Sequence, residues 1–480
     1  MTRRAGAPDA RALDALVATL GPDAVITADD ERASYERPWR GDAGRAAAVV
    51  RPVDVAGVRA AVAWAVEHDV ALVAQGANTG LVGAGVPDLS GTEVVLSLAR
   101  LDRVREIDVV DRLVVAEAGV TLDALDAVLA PHGLELPIDL SAVPSVGGLV
   151  ATNAGGARML RHGDVRRLTL GLEVVLADAD ATLIDQLTGL RKDNARPHLR
   201  ELVVGSGGDL AVVTAAALEV VVRPRARATA LVRVATVAEA MTLAVALERE
   251  LGPELGAVEF LDAATVGAIA AHVPEAAAGV AAATTVLVEL ATHMAGRDPE
   301  AALAAALSTV GGRGEHATVE DAVVVPGPSA WRLRHAASEA VQRGAAGGRV
   351  VALDVSVRRS RLAELVATAS AALREFDADL APYAFGHLGD GGIHLLVVVP
   401  AGDGADRDRA VRDVVYRRVR ALGGSVSAEH GRGPTLDGWL DGDAGAAELR
   451  IARGLHDLLD PGHVLGHRDR HRHGDRPARP

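Results

Sequence analysis

The sequence predicts an α+β protein of two domains, and three observations carry that reading. Its 480 residues exceed what one hydrophobic core usually serves. Strand patterns alternate with amphipathic helices from about residue 46 onward. Three glycine-rich tracts, Val73–Asp88, Pro144–Asp178 and Val203–Pro224, crowd into one domain-sized stretch, and after Pro224 the texture changes.

Taken in order, Leu13, Leu16, Val17 and Leu20 recur at helical spacing, with Asp9 as N-cap and Gly21-Pro22 as stop. From Ala46 the pattern runs strand, helix with Val58, Val62 and Val66 on one face, then strand into the first glycine tract. A second such unit follows, in which Thr121 caps a helix that Gly133 ends. Beyond Pro224, strands at 231–234, 257–261 and 286–290 flank a helix over 236–251. Strands at 350–355, around Phe385 and at 395–399, with helices over 362–373 and 407–422, complete a sheet expected to carry helices on one face. The expected divisions are an N-terminal helical segment (1–45), a first domain (46–225), a second (226–466) and a disordered polar tail (467–480).

Composition narrows the chemistry. No apolar run is long enough to span a bilayer and no secretory signal opens the chain, so a cytoplasmic protein without transmembrane segment is expected. Zero cysteines exclude disulfides, iron–sulfur clusters and thiolate nucleophiles, so redox chemistry would need a bound cofactor. A net charge of −14 argues against nucleic acid as partner.

The first tract, "QGANTGLVGAG", lacks the Lys-Ser/Thr of a P-loop and opens no helix, which disfavours both common dinucleotide folds. What remains is a nest of backbone amides suited to an anion. Three tracts in one domain imply an extended ligand.

"QGANTGLVGAGVP", "VGGLVATNAGGARMLRHGDVRRLTLGLEVVLAD", "VGSGGDLAVVTAAALEV", "FGHLGDGGIHL" and "SVSAEHGRG" stand in the order found in the FAD-linked D-2-hydroxyacid dehydrogenases, and the chain resembles that family from about Val49 to Pro461. The resemblance implies a PCMH-type FAD-binding domain of two subdomains and a C-terminal α+β cap domain with an antiparallel sheet, of the FAD-linked oxidase C-terminal type. It implies cofactor contacts from Gln75, Gly76, Ala77, Asn78, Thr79, Gly80, Leu81 and Gly83 in the first tract. Pro144, Gly147, Gly148, Thr152, Asn153 and Gly156 follow in the second, and Gly205, Gly208 and Val213 in the third. FAD is expected to be noncovalent, since neither His nor Cys stands in Gln75–Gly85.

In "GHLGDGGIH", a two-residue turn at Asp390-Gly391 would set His387 and His394 opposite each other on one hairpin face. Two imidazoles and the carboxylate of Glu429 suit a divalent metal, zinc foremost. Spacing alone favours two strand histidines satisfied by hydrogen bonds, whereas the resemblance favours a metal on His387, His394 and Glu429. The resemblance further casts His430 as the base for the hydroxyl proton and Arg334 as the anchor for the substrate carboxylate. Ser338, four residues on, shares the helical face of Arg334 and can donate a second hydrogen bond.

The implied activity is oxidation of a small D-2-hydroxyacid to the 2-oxoacid, with hydride passing from C2 to flavin N5. An electron acceptor follows: a quinone, a cytochrome or an electron-transfer flavoprotein. Attachment to the inner face of a membrane and a homodimer are both compatible with this reading. The rivals are an alcohol or sugar oxidase and a catalytically diverged flavin-binding subunit of a redox complex. Departures bear on the choice. Gly207, Asp209 and Ala211 stand where relatives carry Glu, Thr and Gly. Ala352 stands for Lys, Gly392 for Asn, and "GHVLGHRD" replaces the closing "NPGK". Loss of the groups at 352 and 392 predicts a monocarboxylic substrate, unless Arg349 or Arg358 replaces the missing lysine.

Overall fold

Asp9 does cap the first helix, Ala10–Leu20: its carboxylate accepts from the Ala12 amide at 2.8 Å. The structure, a computed structural model, describes residues 7–467 except 39–42, 141, 196, 278–279, 313–318, 403, 437 and 441–444. It divides into two units, one of Met1–Ala154, Asp164–Val222 and His430–Pro480, the other of Gly155–Gly163 and Arg223–Glu429.

The first unit holds two sheets. The smaller runs Val25–Ile26, Ala48–Val50, Val94–Ser97, Leu72–Gln75, with the last three strands parallel. Parallel pairing demands a crossover, and the helix Val55–His68 supplies it, seating Val58, Val62 and Ala65 beside Leu16 in one apolar cluster. The larger sheet is antiparallel, in the order Val104–Asp108, Leu113–Glu117, Val212–Glu219, Thr169–Val175, Leu183–Asp185. Its core joins Val114, Ala116, Leu172 and Leu218 to Leu125 and Leu129 of the helix Leu122–Leu129 and to Leu149 of the helix Val146–Thr152.

The second unit is built on a seven-stranded sheet, ordered Asp321–Val325, Ala226–Val234, Thr284–Thr292, Leu255–Leu261, Ala381–His387, Gly392–Val399, Arg349–Ser356. Helices were expected on one face, but they pack against both. Gly327–Gly344 and Ala263–His272 join Leu231, Leu287, Phe385 and Leu396 in one cluster, while Val237–Leu251, Leu362–Phe376 and Ala405–Ala421 meet the strands separately. The reason lies in interior strands such as Thr284–Thr292, which is buried at every position and so offers a surface to cover on both sides.

The compact second unit closes at Glu429, short of the expected domain end at residue 466. Residues from His430 onward return to the first unit, where Leu455 and Leu459 of the helix Ala446–Leu459 pack on the larger sheet's core. His467, assigned to a disordered tail, is buried against Glu93; residues 468–480 lie outside the described residues.

Candidate active site

In the first unit the glycine tracts converge on a cleft. Gln75, Gly76, Gly147, Gly148, Gly208 and Val213, all expected at the cofactor, line it, together with Ala74, Leu98, Ala151, Gly207 and Ala211, which were not. Glycine is required at 76, where a Cβ would stand 2.2 Å from Ser145 Oγ; that hydroxyl accepts the Gly148 amide and caps the helix Val146–Thr152. Gln75 shapes the loop: its Nε2 donates to the carbonyls of Tyr35 (2.8 Å) and Gly85 (2.6 Å). Ala77, Asn78, Thr79, Gly80, Leu81 and Gly83 follow it, and Asn78, at φ 55°, ties the loop to the Arg37 carbonyl.

Asn153 and Gly205 act on backbone architecture. Asn153 accepts from the Arg166 amide at 2.8 Å and donates to Asp164 at 2.9 Å, and the Gly205 amide donates to the Val150 carbonyl. Pro144 is buried where its carbonyl accepts the Leu122 amide, and Thr152 Oγ1 donates to the Gly148 carbonyl. The segment after His430 lies along the same tracts. A Cβ on Gly431 would touch Thr152, one on Gly207 would touch Arg432, and one on Gly83 would touch Pro434. Gly156 is placed differently from the other expected cofactor residues: it belongs to the second unit and gives its amide to Glu429 Oε2 at 3.1 Å.

The second unit concentrates polar side chains on one sheet face, and strand register explains how. Glu259 stands directly opposite His387, and Asp354 directly opposite His394. The two histidines were expected opposite each other. Instead Phe385 pairs with His394, so the imidazoles are diagonal neighbours around a four-residue loop, Leu388–Gly391. Asp390 accepts the Gly392 amide at 2.7 Å and Gly391 donates to the His387 carbonyl, which lengthens the turn. A register shift of two preserves the face, and the rings still meet edge to face with centroids 5.3 Å apart.

His387 Nε2 lies 2.9 Å and His394 Nε2 3.3 Å from the same oxygen, Glu429 Oε1. The Glu429 backbone amide donates to Asp354 Oδ2 at 2.8 Å, which fixes the carboxylate's origin. One ligand atom from each of His387, His394 and Glu429 falls within 4.8 Å of the others, a two-nitrogen, one-oxygen donor set that fits a tetrahedral divalent cation with one position left open. Glu259, fully buried, organises this set: Oε1 sits 2.7 Å from His387 Nδ1 and holds that nitrogen's hydrogen, which leaves Nε2 as the ligand atom. Its Oε2 accepts from Arg334 Nε at 2.7 Å. The Arg334 guanidinium rests 4.8 Å from the Phe385 ring centroid, and its Nη groups remain for a carboxylate. Ser338 lies half-buried one turn along the same helix, Gly327–Gly344.

Burial opposes charge on His387, but Glu259 and Glu429 outweigh it and hold its pKa well above the ordinary imidazole value. Burial lowers that of His394, against Glu429. Burial likewise disfavours the Glu429 and Glu259 carboxylates, yet His387 above all, with His394 at Glu429 and Arg334 at Glu259, keeps both below the usual range. Asp390 is pushed up to about 6 by burial. Neither Glu259 nor Asp354 was anticipated from the sequence. Each is the single acid of its strand, flanked by apolar residues, and that break in pattern was the available signal. If this donor set holds zinc, replacing Glu259 by glutamine should weaken its binding ten- to hundredfold, about what loss of a ligand's orienting partner costs. Calorimetric titration checks this, and an unchanged affinity would remove Glu259 from the site.

The family pattern for the C-terminal domain of FAD linked oxidases matches residues 223–468, and that for an FAD binding domain matches residues 46–184. The chain belongs to the FAD-linked oxidase family. Like other FAD-linked oxidases it is an oxidoreductase with a PCMH-type FAD-binding domain. Relatives include the mitochondrial D-2-hydroxyglutarate dehydrogenase of Bos taurus, 34% identical over 92% of this chain and 80% of that one. The D-2-hydroxyglutarate dehydrogenase of Xanthomonas citri pv. viticola is 33% identical over 90% of each chain. Among solved structures, 4-ethylphenol oxidase from Gulosibacter chungangensis superposes with a TM-score of 0.72 at 18% identity, over 96% of this chain and 98% of that one, and shares the fold. Among the described residues no helix is long and apolar enough to cross a membrane.

Proposed function

We propose that this FAD-linked oxidase converts a D-2-hydroxyacid to the 2-oxoacid, with noncovalent FAD in the first unit and a divalent cation, zinc by its donor set, on His387, His394 and Glu429. When bound, FAD accepts the hydride and the cation polarises the hydroxyl oxygen. The chain's own groups do the rest. Arg334 receives the C1 carboxylate in its guanidinium fork with Ser338 as second donor, and Glu259 holds Arg334 and His387 in fixed relation. His430, adjacent in sequence to Glu429, takes the hydroxyl proton. Flavin held in the first unit would need an external acceptor for its reoxidation, a quinone, a cytochrome or an electron-transfer flavoprotein. The observation that carries this reading is Glu259, a single carboxylate that binds the proposed carboxylate anchor on one oxygen and a proposed metal ligand on the other.

The relatives are named for a dicarboxylic acid, but the site face here supports a monocarboxylic one. Ala352 pairs across the sheet with Leu396, and Leu396 with Tyr383, giving a partly buried row of no charge. Arg349, three residues from Ala352, is on the opposite face by strand alternation and is engaged by Asp408 and the Gly404 carbonyl. Arg158 and Arg227 share Glu289. A second carboxylate on an apolar row would lose hydration without a partner, at a cost of several kcal/mol. In anaerobic stopped-flow experiments D-lactate or a longer monocarboxylic 2-hydroxyacid should bleach the flavin faster than D-2-hydroxyglutarate. A clear preference for D-2-hydroxyglutarate refutes the monocarboxylic reading. Bound FAD that no 2-hydroxyacid reduces would instead mark a diverged flavin-binding subunit.

A further inference from the structure

We propose that His467 is a positioning residue for the flavin-binding loop, a buried clasp that ties the loop's Gly83 carbonyl to Glu93 from behind. The inference rests on the reading of Gln75–Gly85 as part of the flavin site. The imidazole is 6% exposed and Glu93 3%, so the pair is withdrawn from water. His467 Nδ1 lies 3.1 Å from each Glu93 oxygen, and Nε2 lies 3.3 Å from the Gly83 carbonyl. The ring thus bridges a buried carboxylate at one nitrogen and a loop carbonyl at the other. Glu93 Oε2 also accepts the Asp88 amide at 2.7 Å. One buried His–Glu pair thus grips the loop at Gly83 and just past its end.

The backbone delivers His467 to this place. Asp460, fully buried, accepts the amides of Val464 and Leu465 at 3.0 and 2.8 Å. Leu72 then donates to the Val464 carbonyl and accepts from the Gly466 amide, so the chain lies along the open edge of the strand that leads into the loop. A second hold is independent of the first. Thr435 Oγ1 donates to the Val82 carbonyl at 3.1 Å, and a Cβ at Gly433 would stand 2.1 Å from that oxygen. Two consecutive loop carbonyls are therefore held by the returning segment, which orders the loop before a ligand arrives. Glu93 is the charged group that faces His467, and Asp209 abuts Gly466 before it.

The test uses full-length holoprotein and follows FAD release by flavin fluorescence in wild type, His467→Ala, His467→Gln and Glu93→Gln. His467→Ala should release FAD about tenfold faster. His467→Gln, which keeps a single amide donor, should release FAD at a rate between those of wild type and His467→Ala. Hydrogen exchange of amides 76–86 in flavin-free protein should be faster in His467→Ala and Glu93→Gln than in wild type. Equal release rates in wild type and His467→Ala would overturn the clasp, as would unchanged exchange over 76–86. Wild-type protein unable to hold FAD would refute the flavin reading instead, and the exchange comparison would still decide the clasp.

Discussion

Replacing Arg334 by alanine is expected to lower kcat/KM for every 2-hydroxyacid oxidised by about a thousandfold, roughly 4 kcal/mol of transition-state stabilisation. The guanidinium is nearly buried, with Nε committed to Glu259 and Cζ over Phe385, so its orientation is set before substrate arrives. A carboxylate that enters such a fork gains two charge-assisted hydrogen bonds; without the fork it is desolvated unpaired. Lysine at 334 should recover only part of the loss, because an ammonium cannot bond Glu259 and bind a carboxylate with two parallel donors. Glu259 would keep His387 as partner in the alanine variant, so zinc content should stay near that of the wild type. Single-turnover flavin reduction measures the effect, and a rate within threefold of the wild type at low substrate would show that the carboxylate binds elsewhere.

How far the sequence discloses this site depends on the range over which residues act. Arg334 and Ser338 sit one helical turn apart, and Glu429 and His430 are adjacent, so their grouping is a local property that spacing can express. The first glycine tract is legible for the same reason: its residues are consecutive, and Gln75 and Gly76 line the cleft. Glu259 and Asp354 are invisible to such reasoning, because only the strand pairing Glu259↔His387 and Asp354↔His394 brings them in, across 128 and 40 positions of chain. Alternation tells on which face His387 and His394 point but not which residues they oppose. The loop Leu388–Gly391, closed by the Asp390 side chain, shifts the register by two without moving either ring to the other face. His467 was misplaced because polarity suggests a solvated tail, and its burial depends on the distant Glu93.

The proposed cation site yields the second large effect, with a pH dependence of definite sign. Without a cation, protonated His387 is bonded to both Glu259 and Glu429, and its pKa is held well above the ordinary value. A metal ion needs the Nε2 lone pair that this proton occupies, whereas His394, with its pKa lowered, has none to give up at neutral pH. Zinc should therefore bind with release of about one proton, and its affinity should rise about tenfold per pH unit until His387 deprotonates unaided. Stability of metal-stripped protein should run the other way. The contribution of a group whose pKa is raised by folding is complete below its unfolded value and is lost as pH rises through the folded one. Stripped protein should thus melt at lower temperature as pH rises past neutrality, while zinc-loaded protein should not. At the acid end, Glu259 and Glu429, with pKa lowered by folding, lose their contribution in both as pH falls. His387→Ala should abolish stoichiometric zinc and reduce kcat by on the order of a thousandfold, since it removes a ligand and the charge partner of two buried carboxylates. Proteins truncated after His467 exclude uptake by His471 and His473. Equal zinc content in truncated wild type and truncated His387→Ala would remove the cation from the site, and zinc affinity independent of pH would show that His387 is not the ligand.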